Sequence, residues 1–220
     1  MKQYNGEKAI ISLTSWKARI NTVSKTLYSL IQQCPGFHIV LCLSEEEFPQ
    51  KEKALPENLM LFVENDLIEI LWVYKNYKSF KKVLFTMDKY RDVPVISADD
   101  DCIYNCNYAE KLYQEWLKHK NCVVTSCRHF VFNYMLIPNG CFALYPPYTL
   151  LGSDKLLTNE IIATNNDDVF YGYILHKKNI NFSFINIKYP TFHDEIEALG
   201  KTGKYTSNIS VLHLFQKILG

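Results

Sequence analysis

The stretch "VISADDDCIY", Val95 to Tyr104, places three aspartates directly after an apolar run. Asp99, Asp100 and Asp101 carry like charges on adjacent residues, so the turn that holds them must offset their mutual repulsion. Mg²⁺ and Mn²⁺ prefer oxygen ligands. They commonly take one or two carboxylates and complete their shell with phosphate oxygens and water. The stretch therefore predicts a divalent-cation and diphosphate site at the end of a buried strand. A solvated acidic turn that caps a following helix is the alternative for so short a pattern.

The residues upstream of the aspartates alternate between strand-like and helix-like patterns. Apolar runs predict four buried strands, at "KAIISL", "FHIVLCLS", "LIEILWVY" and "VPVISA". Helical spacing of apolar residues predicts two helices, at "INTVSKTLYSLIQQ" and "KSFKKVLFTMDKY". The predicted order is β-α-β-loop-β-α-β, in which the polar "EEEFP" begins the loop. Such alternation indicates an α/β fold, a Rossmann-like and mostly parallel sheet flanked by helices. Ligands of such sheets bind beyond the carboxyl ends of the strands, where the aspartates lie.

The second half of the chain is less regular. It predicts strands at "NCVVTSC" and "INFSFINIKYP", an apolar run bounded by turn residues at "NGCFALYPP", and helices at "YAEKLYQEWLKHK", "NDDVFYGYILHKKNI" and "SNISVLHLFQKILG". No linker, repeat or low-complexity segment interrupts it. Residues 1–220 are therefore expected to form a single compact domain.

Composition excludes several classes of protein. A hydrophobic content of 48% over 220 residues supports a sizeable core, and a net charge of +1 gives no electrostatic case for a nucleic-acid partner. The N-terminus shows no apolar h-region, and no window reaches the ~18 apolar residues that a membrane span needs. The seven cysteines are irregularly spaced, which favours reduced thiols over disulfides or a zinc site. We expect a cytoplasmic protein.

Four segments follow one another between about residue 9 and residue 180 in an order typical of one enzyme family. They are "IISLTSWKARI", "NYKSFKKVLFTMDKYRDVPVISADDDCIY", "GCFALYPP" and "NNDDVFYGYILHKKNI". Through these segments the chain resembles glycosyltransferases of the GT-A fold, close to small bacterial enzymes that build surface polysaccharides such as capsule and lipopolysaccharide. The resemblance makes them, in order, the first strand and nucleotide loop, the lysine-bearing helix with the strand and DxD motif, the acceptor-side glycine segment and the acidic motif that opens a helix.

The resemblance implies transfer of a sugar from a nucleotide diphosphate donor, UDP first among them, to a hydroxyl of a glycan or lipid-linked acceptor. Mn²⁺ or Mg²⁺, held by Asp99 and Asp101, would offset the charge of the leaving diphosphate. Asp99 is also expected to face the nucleotide sugar or a metal-bound water, with Asp100 behind it. Residues 1 to about 105 would form the nucleotide-sugar-binding half and about 106–220 the acceptor and catalytic half.

Cationic side chains near the acidic turn are the candidates for the phosphates. A helix can present Lys78 and Lys82 on one face, with Lys81 nearby, and Lys82 is the first choice. A solvated helix face explains any single lysine equally well. Thr14, Ser15 and Arg19, just past the first strand, are expected to contact the nucleoside, with Glu45 after the second strand as a weaker candidate for the same pocket.

Asp167 and Asp168 are the candidates for the base that deprotonates the acceptor hydroxyl in an inverting reaction. Both stand at the start of a predicted helix, where the macrodipole favours the charged form of a carboxyl group. Asp168 is preferred from its place in the motif, and an ordinary helix cap is the alternative. His193 in "YPTFHDE" is a candidate third metal ligand, and Asp194 is its rival.

Two other functions fit the same acidic residues. A nucleotidyltransferase also holds Mg²⁺ with acids after a sheet strand, but "SLTSWKARI" contains no glycine for a phosphate loop. A GT-A-like domain that binds a nucleotide sugar without chemistry would not need the intact "DDD" and "DDV" motifs. Lys201, Lys204 and Lys217 in the tail are compatible with peripheral contact to the inner face of a membrane.

Overall fold

A seven-stranded sheet organises the chain in the computed structural model, which describes residues 6–33, 35–126, 129–131, 135–138, 140–188, 190–193 and 208–220. The strands are β1 (Ala9–Thr14), β2 (Phe37–Ser44), β3 (Glu69–Val73), β4 (Val95–Ser97), β5 (Cys102–Ile103), β6 (Val123–Thr125), β7 (His129–Val131), β8 (Met135–Ile137), β9 (Ala143–Tyr145), β10 (Phe182–Phe184) and β11 (Thr191–Phe192). The α-helices are α1 (Val23–Ile31), α2 (Glu57–Glu64), α3 (Lys81–Lys89), α4 (Tyr108–Lys118), α5 (Asn159–Thr164), α6 (Asp167–Lys177) and α7 (Asn208–Leu219).

The central sheet is mostly parallel, as the sequence predicts. Its strand order is β10-β6-β9-β4-β1-β2-β3. Every neighbouring pair runs parallel except those made by β9, which lies antiparallel between β4 and β6. Two small antiparallel sheets, β5 with β11 and β7 with β8, lie outside it.

Helices cover both faces of the sheet, because successive residues of a buried strand point to opposite sides. Ile11 packs with α1, α2 and α4, whereas its neighbour Ile10 packs on the other face with Val40 and Tyr90. A second cluster, between the sheet and α3, α6 and α7, includes Phe80, Phe170 and Phe215. The three layers form one compact domain.

The segment between β2 and β3 differs from the prediction of a polar loop. It contains a 3₁₀ turn at Lys51–Ala54 and then α2, which begins after Pro56. Only Leu59 of α2 is fully buried, so the apolar stripe is too narrow to stand out in the sequence. The strand predicted at "INFSFINIKYP" is also shorter, since only Phe182–Phe184 pair, with β6.

The register of β1 and β4 determines where the site forms. The strands pair in parallel with Ser12 opposite Ser97, and the amide of Ala98 donates to the Ser12 carbonyl at 2.9 Å. The backbone therefore leaves β1 and β4 at the same edge of the sheet. The Ser12 hydroxyl also lies 2.7 Å from that of Thr86 on α3 and donates to the carbonyl of Lys82, which ties the start of α3 to the same edge.

Candidate functional site

A cavity of about 610 Å³ opens at the edge where β1 and β4 end. Its size lies within the ~300–1,000 Å³ typical of small-molecule sites. It brings together the predicted site residues apart from His193 and the weaker candidate Glu45, although they come from both halves of the chain. The lining residues are Thr14, Ser15, Trp16, Arg19, Glu47, Asn76, Lys78, Ser79, Lys81, Lys82, Asp99, Asp100, Asp101, Gly140, Ala163, Asn165, Asp167 and Asp168.

Asp100 anchors the acidic turn to the segment after β1. Ser15 donates its hydroxyl to Asp100 Oδ2 at 2.6 Å, and Arg19 donates from Nη1 to Asp100 Oδ1. Burial raises the pKa of the Asp100 carboxyl, and the Arg19 charge and the Ser15 hydrogen bond oppose that rise. Ser15 and Arg19, predicted to contact the nucleoside, thus make their observed contacts with the turn itself.

The surroundings of Asp101 disfavour the charged form of its carboxyl group. Burial and then the Asp99 charge raise the pKa of its carboxyl from 3.8 to about 6, although Arg19 Nη1 lies 3.1 Å from its Oδ2. Asp99 is the more open acid, with 35% of its side-chain surface exposed. The turn therefore carries more negative charge than its protein partners offset.

Lys82 connects the two acidic motifs. Its Nζ donates to Asp99 Oδ1 at 2.8 Å and lies 3.0 Å from Asp167 Oδ2, the latter without hydrogen-bond alignment. Burial by itself lowers the pKa of this amine, but the charges of Asp167, Asp99 and Asp168 outweigh it and hold the pKa well above its ordinary value. Lys82 is therefore a permanently charged group between β4 and α6.

Asp168 stands in the first turn of α6, beneath Gly140. The Gly140 amide faces its carboxylate, and Oδ1 is buried with no hydrogen-bond partner among the described residues. Burial, followed by repulsion from Asp167, raises the pKa of Asp168 well above its ordinary value. This corrects the expectation that the helix N-terminus favours the charged form: desolvation outweighs the macrodipole here. Asn166 caps α6, accepting from the Val169 amide.

The other lysines occupy different surroundings from those predicted. Lys78 lies in the 3₁₀ turn Lys78–Phe80 with φ +51°, so Lys78 and Lys82 do not share a helical face. Lys78 is exposed on the cavity rim, where it could meet a phosphate. Lys81 is 1% exposed, and its Nζ donates to the Lys78 carbonyl and lies 3.7 Å from Glu47.

His193 lies beside the acidic turn but directs its ring elsewhere. Its amide donates to the Asp101 carbonyl at 2.9 Å, and its Nε2 lies 2.9 Å from the hydroxyl of Thr26. That hydroxyl also hydrogen-bonds the Asp100 carbonyl. Metal ligation by His193 stays a prediction, and its rival Asp194 is outside the described residues.

Several lining residues were not predicted. Glu47 faces the cavity, whereas Glu45 pairs with Lys51 at 3.0 Å and does not line it. Trp16 and Asn76 fall inside quoted motifs but carried no signal of their own. Gly140 was assigned only to an acceptor-side segment, yet an added Cβ there would lie 2.8 Å from Lys82 Nζ and 2.9 Å from Asp168 Oδ1.

The acidic turn fits a cation that the protein holds with few ligands. Across the described ranges, no group of three or more His, Cys, Asp or Glu side chains is arranged around a metal position. Asp100 is committed to Ser15 and Arg19, which leaves Asp99 and Asp101 as carboxylate donors. Two carboxylates suit a hard cation that takes its other ligands from phosphate and water. Burial first and then the Asp99 charge raise the pKa of Asp101, and a bound cation would oppose both effects.

Solved structures share this architecture at low sequence identity. S. aureus TarS 1-349 in complex with UDP-GlcNAc matches with a TM-score of 0.61 and 13% identity, over 96% of this chain and 65% of that chain. Its complex with UDP matches with a TM-score of 0.57 and 13% identity, over 82% of this chain and 58% of that chain. The mannosyltransferase PcManGT from Pyrobaculum calidifontis, in complex with GDP-Man and Mn²⁺, matches with a TM-score of 0.59 and 10% identity, over 99% and 69%.

These likenesses establish the fold: the chain has the GT-A fold of glycosyltransferases, as the sequence motifs predict. It spans 58% and 65% of the lengths of the two TarS chains. No family model and no curated protein sequence matches it. Within the described ranges, none of the helices has the length and apolar character needed to cross a bilayer.

Proposed function

We propose that the protein is a metal-dependent glycosyltransferase of the hexosyltransferase class. It moves a sugar from a nucleotide diphosphate donor, a UDP-sugar by preference, to a hydroxyl of a glycan or lipid-linked acceptor, with inversion at the anomeric carbon. One observation carries the proposal: two acidic motifs 68 residues apart, Asp99–Asp101 and Asp167–Asp168, line one cavity and are joined by Lys82.

The donor end of the cavity is the acidic turn. Asp99 and Asp101 would hold Mn²⁺ or Mg²⁺, which when bound stabilises charge on the leaving nucleoside diphosphate. Lys82 supplies a charged ammonium beside the phosphate oxygens of this leaving group. Lys78 supplies a second ammonium at the rim of the cavity. Asp100 and Arg19 fix the shape of the turn. Thr14 and Ser15 lie where the nucleoside would enter.

The acceptor end is the start of α6. A carboxylate oxygen of Asp168 accepts the proton of the attacking hydroxyl. Asp167 is the alternative base. Base strength follows pKa, so the raised pKa makes the Asp168 carboxylate a stronger base than a solvated aspartate. Asp167 faces Lys82 instead, which leaves Asp168 as the freer of the two.

The two ends correspond to the two halves of the chain. Residues 1 to about 105 would bind the nucleotide sugar, and residues about 106–220 would bind the acceptor and provide the base. An acceptor carried on a lipid would bring the protein to the inner face of a membrane in the cytoplasm, with basic residues such as Lys217 facing the lipid head groups.

A release assay tests the proposal. The protein is incubated with a panel of nucleotide sugars and an acceptor extract, with Mn²⁺ or with chelator, and nucleoside diphosphate is measured. The proposal predicts release that requires metal and acceptor. In D168N we expect donor binding close to wild type and transfer reduced at least a hundredfold. Pyrophosphate release would indicate a nucleotidyltransferase. Nucleotide binding without turnover would indicate a non-catalytic domain.

A further inference from the structure

Lys82 is a cation built into the site between the two acidic motifs. Its Nζ lies 2.8 Å from Asp99 Oδ1 and 3.0 Å from Asp167 Oδ2, and only 5% of its side-chain surface is exposed. Its backbone is fixed, because the Ser12 hydroxyl donates to the Lys82 carbonyl. The ammonium can therefore change partners only by rotating its own side chain.

Arg19 faces Asp101, the second carboxylate that a metal would use. Its Nη1 lies 3.1 Å from Asp101 Oδ2 while it also pairs with Asp100, and its side chain is 7% exposed. Both carboxylates assigned to a metal thus already face a buried cation. A divalent ion placed at this turn would stand close to two buried positive charges, and solvent would screen that repulsion little.

The donor's diphosphate changes the balance of charge around the metal position, and its presence there rests on the proposed function. We propose that Lys82 makes divalent-metal binding at Asp99 depend on the donor diphosphate. Phosphate oxygens offer the ammonium an acceptor in place of Asp99, and their negative charge offsets the repulsion between the metal and the two cations. Asp167 keeps Lys82 in the cavity while it exchanges. Metal and nucleotide then bind cooperatively, each raising the affinity of the other by the same factor, because coupling is reciprocal.

Manganese titrations of the full chain at pH 8, followed by electron paramagnetic resonance, test the role of Lys82. They are run without nucleotide and with UDP or GDP, with a correction for Mn²⁺ bound by free nucleotide. We expect wild-type protein to bind Mn²⁺ at least tenfold more tightly with one of the nucleotides. Without nucleotide, K82M should bind Mn²⁺ at least threefold more tightly than wild type, because Asp99 is released. The control K82R keeps a cation and should bind Mn²⁺ as weakly as wild type.

Two results would overturn the inference. They are equal or weaker nucleotide-free Mn²⁺ binding by K82M, or a wild-type Mn²⁺ affinity that neither nucleotide changes. If K82M does not fold, K82Q, which also removes the ammonium charge beside Asp99, is measured in its place with the same expectation. None of these measurements requires sugar transfer. Coupled binding without transfer would refute the proposed function and support the inference, and transfer without coupling would do the reverse.

Discussion

Replacing Asp101 with asparagine should stabilise the protein. Burial and the neighbouring Asp99 charge raise the pKa of Asp101 from 3.8 to about 6, so the folded state disfavours the ionised carboxyl. That difference corresponds to about 3 kcal/mol of unfolding free energy lost above the folded-state pKa. Asparagine removes the charge, and its amide oxygen can take the place of the carboxylate oxygen that lies 3.1 Å from Arg19 Nη1. We expect D101N to be about 1–3 kcal/mol more stable than wild type at pH 8.

The sign of the pH dependence makes the effect specific. Between pH about 4 and 6 the folded protein binds more protons at Asp101 than the unfolded chain does, so stability falls as pH rises through this range. The gain of D101N should therefore be present at pH 8 and vanish near pH 4. Urea denaturation at both values measures it, with the exposed Asp92→Asn as a control expected to stay within about 0.5 kcal/mol of wild type. A D101N protein less stable than wild type at pH 8 would show that the buried Asp101 charge does not destabilise the fold.

Further predictions concern the acceptor end. Burial raises the pKa of Asp168. If Asp168 is the base, kcat for sugar transfer should rise with pH through that raised pKa, because only the ionised carboxylate can accept the proton. A kcat that does not change with pH in wild type would contradict the assignment. Gly140→Ala should keep the thermal stability of wild type, since the three atoms nearest to the added Cβ are the ends of the Lys82 and Asp168 side chains. It should lower kcat at least tenfold by displacing them. Gly172→Ala is the matched control: its Cβ would lie 2.6 Å from Ile137 Cγ2 and 2.9 Å from the Leu136 carbonyl, so it should cost about 1–3 kcal/mol of stability. A destabilised G140A with unchanged kcat would show that the glycine serves packing alone.

Local patterns in the sequence were sufficient to predict the central sheet and the acidic turn. The apolar runs of β1, β2 and β4 are continuous because both faces of a parallel sheet are covered, and such runs are legible without a structure. The three aspartates follow one of them directly. The short helix α2 was missed because a single fully buried residue, Leu59, leaves little periodicity.

Long-range partners explain what the sequence could not supply. Arg19 pairs with the acidic turn across more than 80 residues of chain, and Lys82 with Asp167 across a similar distance, and no spacing rule connects them. The raised pKa of Asp168 likewise depends on its burial in the assembled fold around α6, whereas the sequence displayed only its helix-start position. Local chemistry was readable, but the pairing of charges required the assembled cavity.

We infer that a cation bound together with a donor diphosphate offsets the surplus charge of the acidic turn. A crystal of the wild-type protein grown with Mn²⁺ and a nucleotide-sugar donor, measured at the manganese absorption edge, locates that cation. We expect an anomalous peak in contact with Asp99 and Asp101, with the diphosphate beside Lys82. A donor bound in the cavity with no manganese at those two carboxylates would show that the cation is not part of the site.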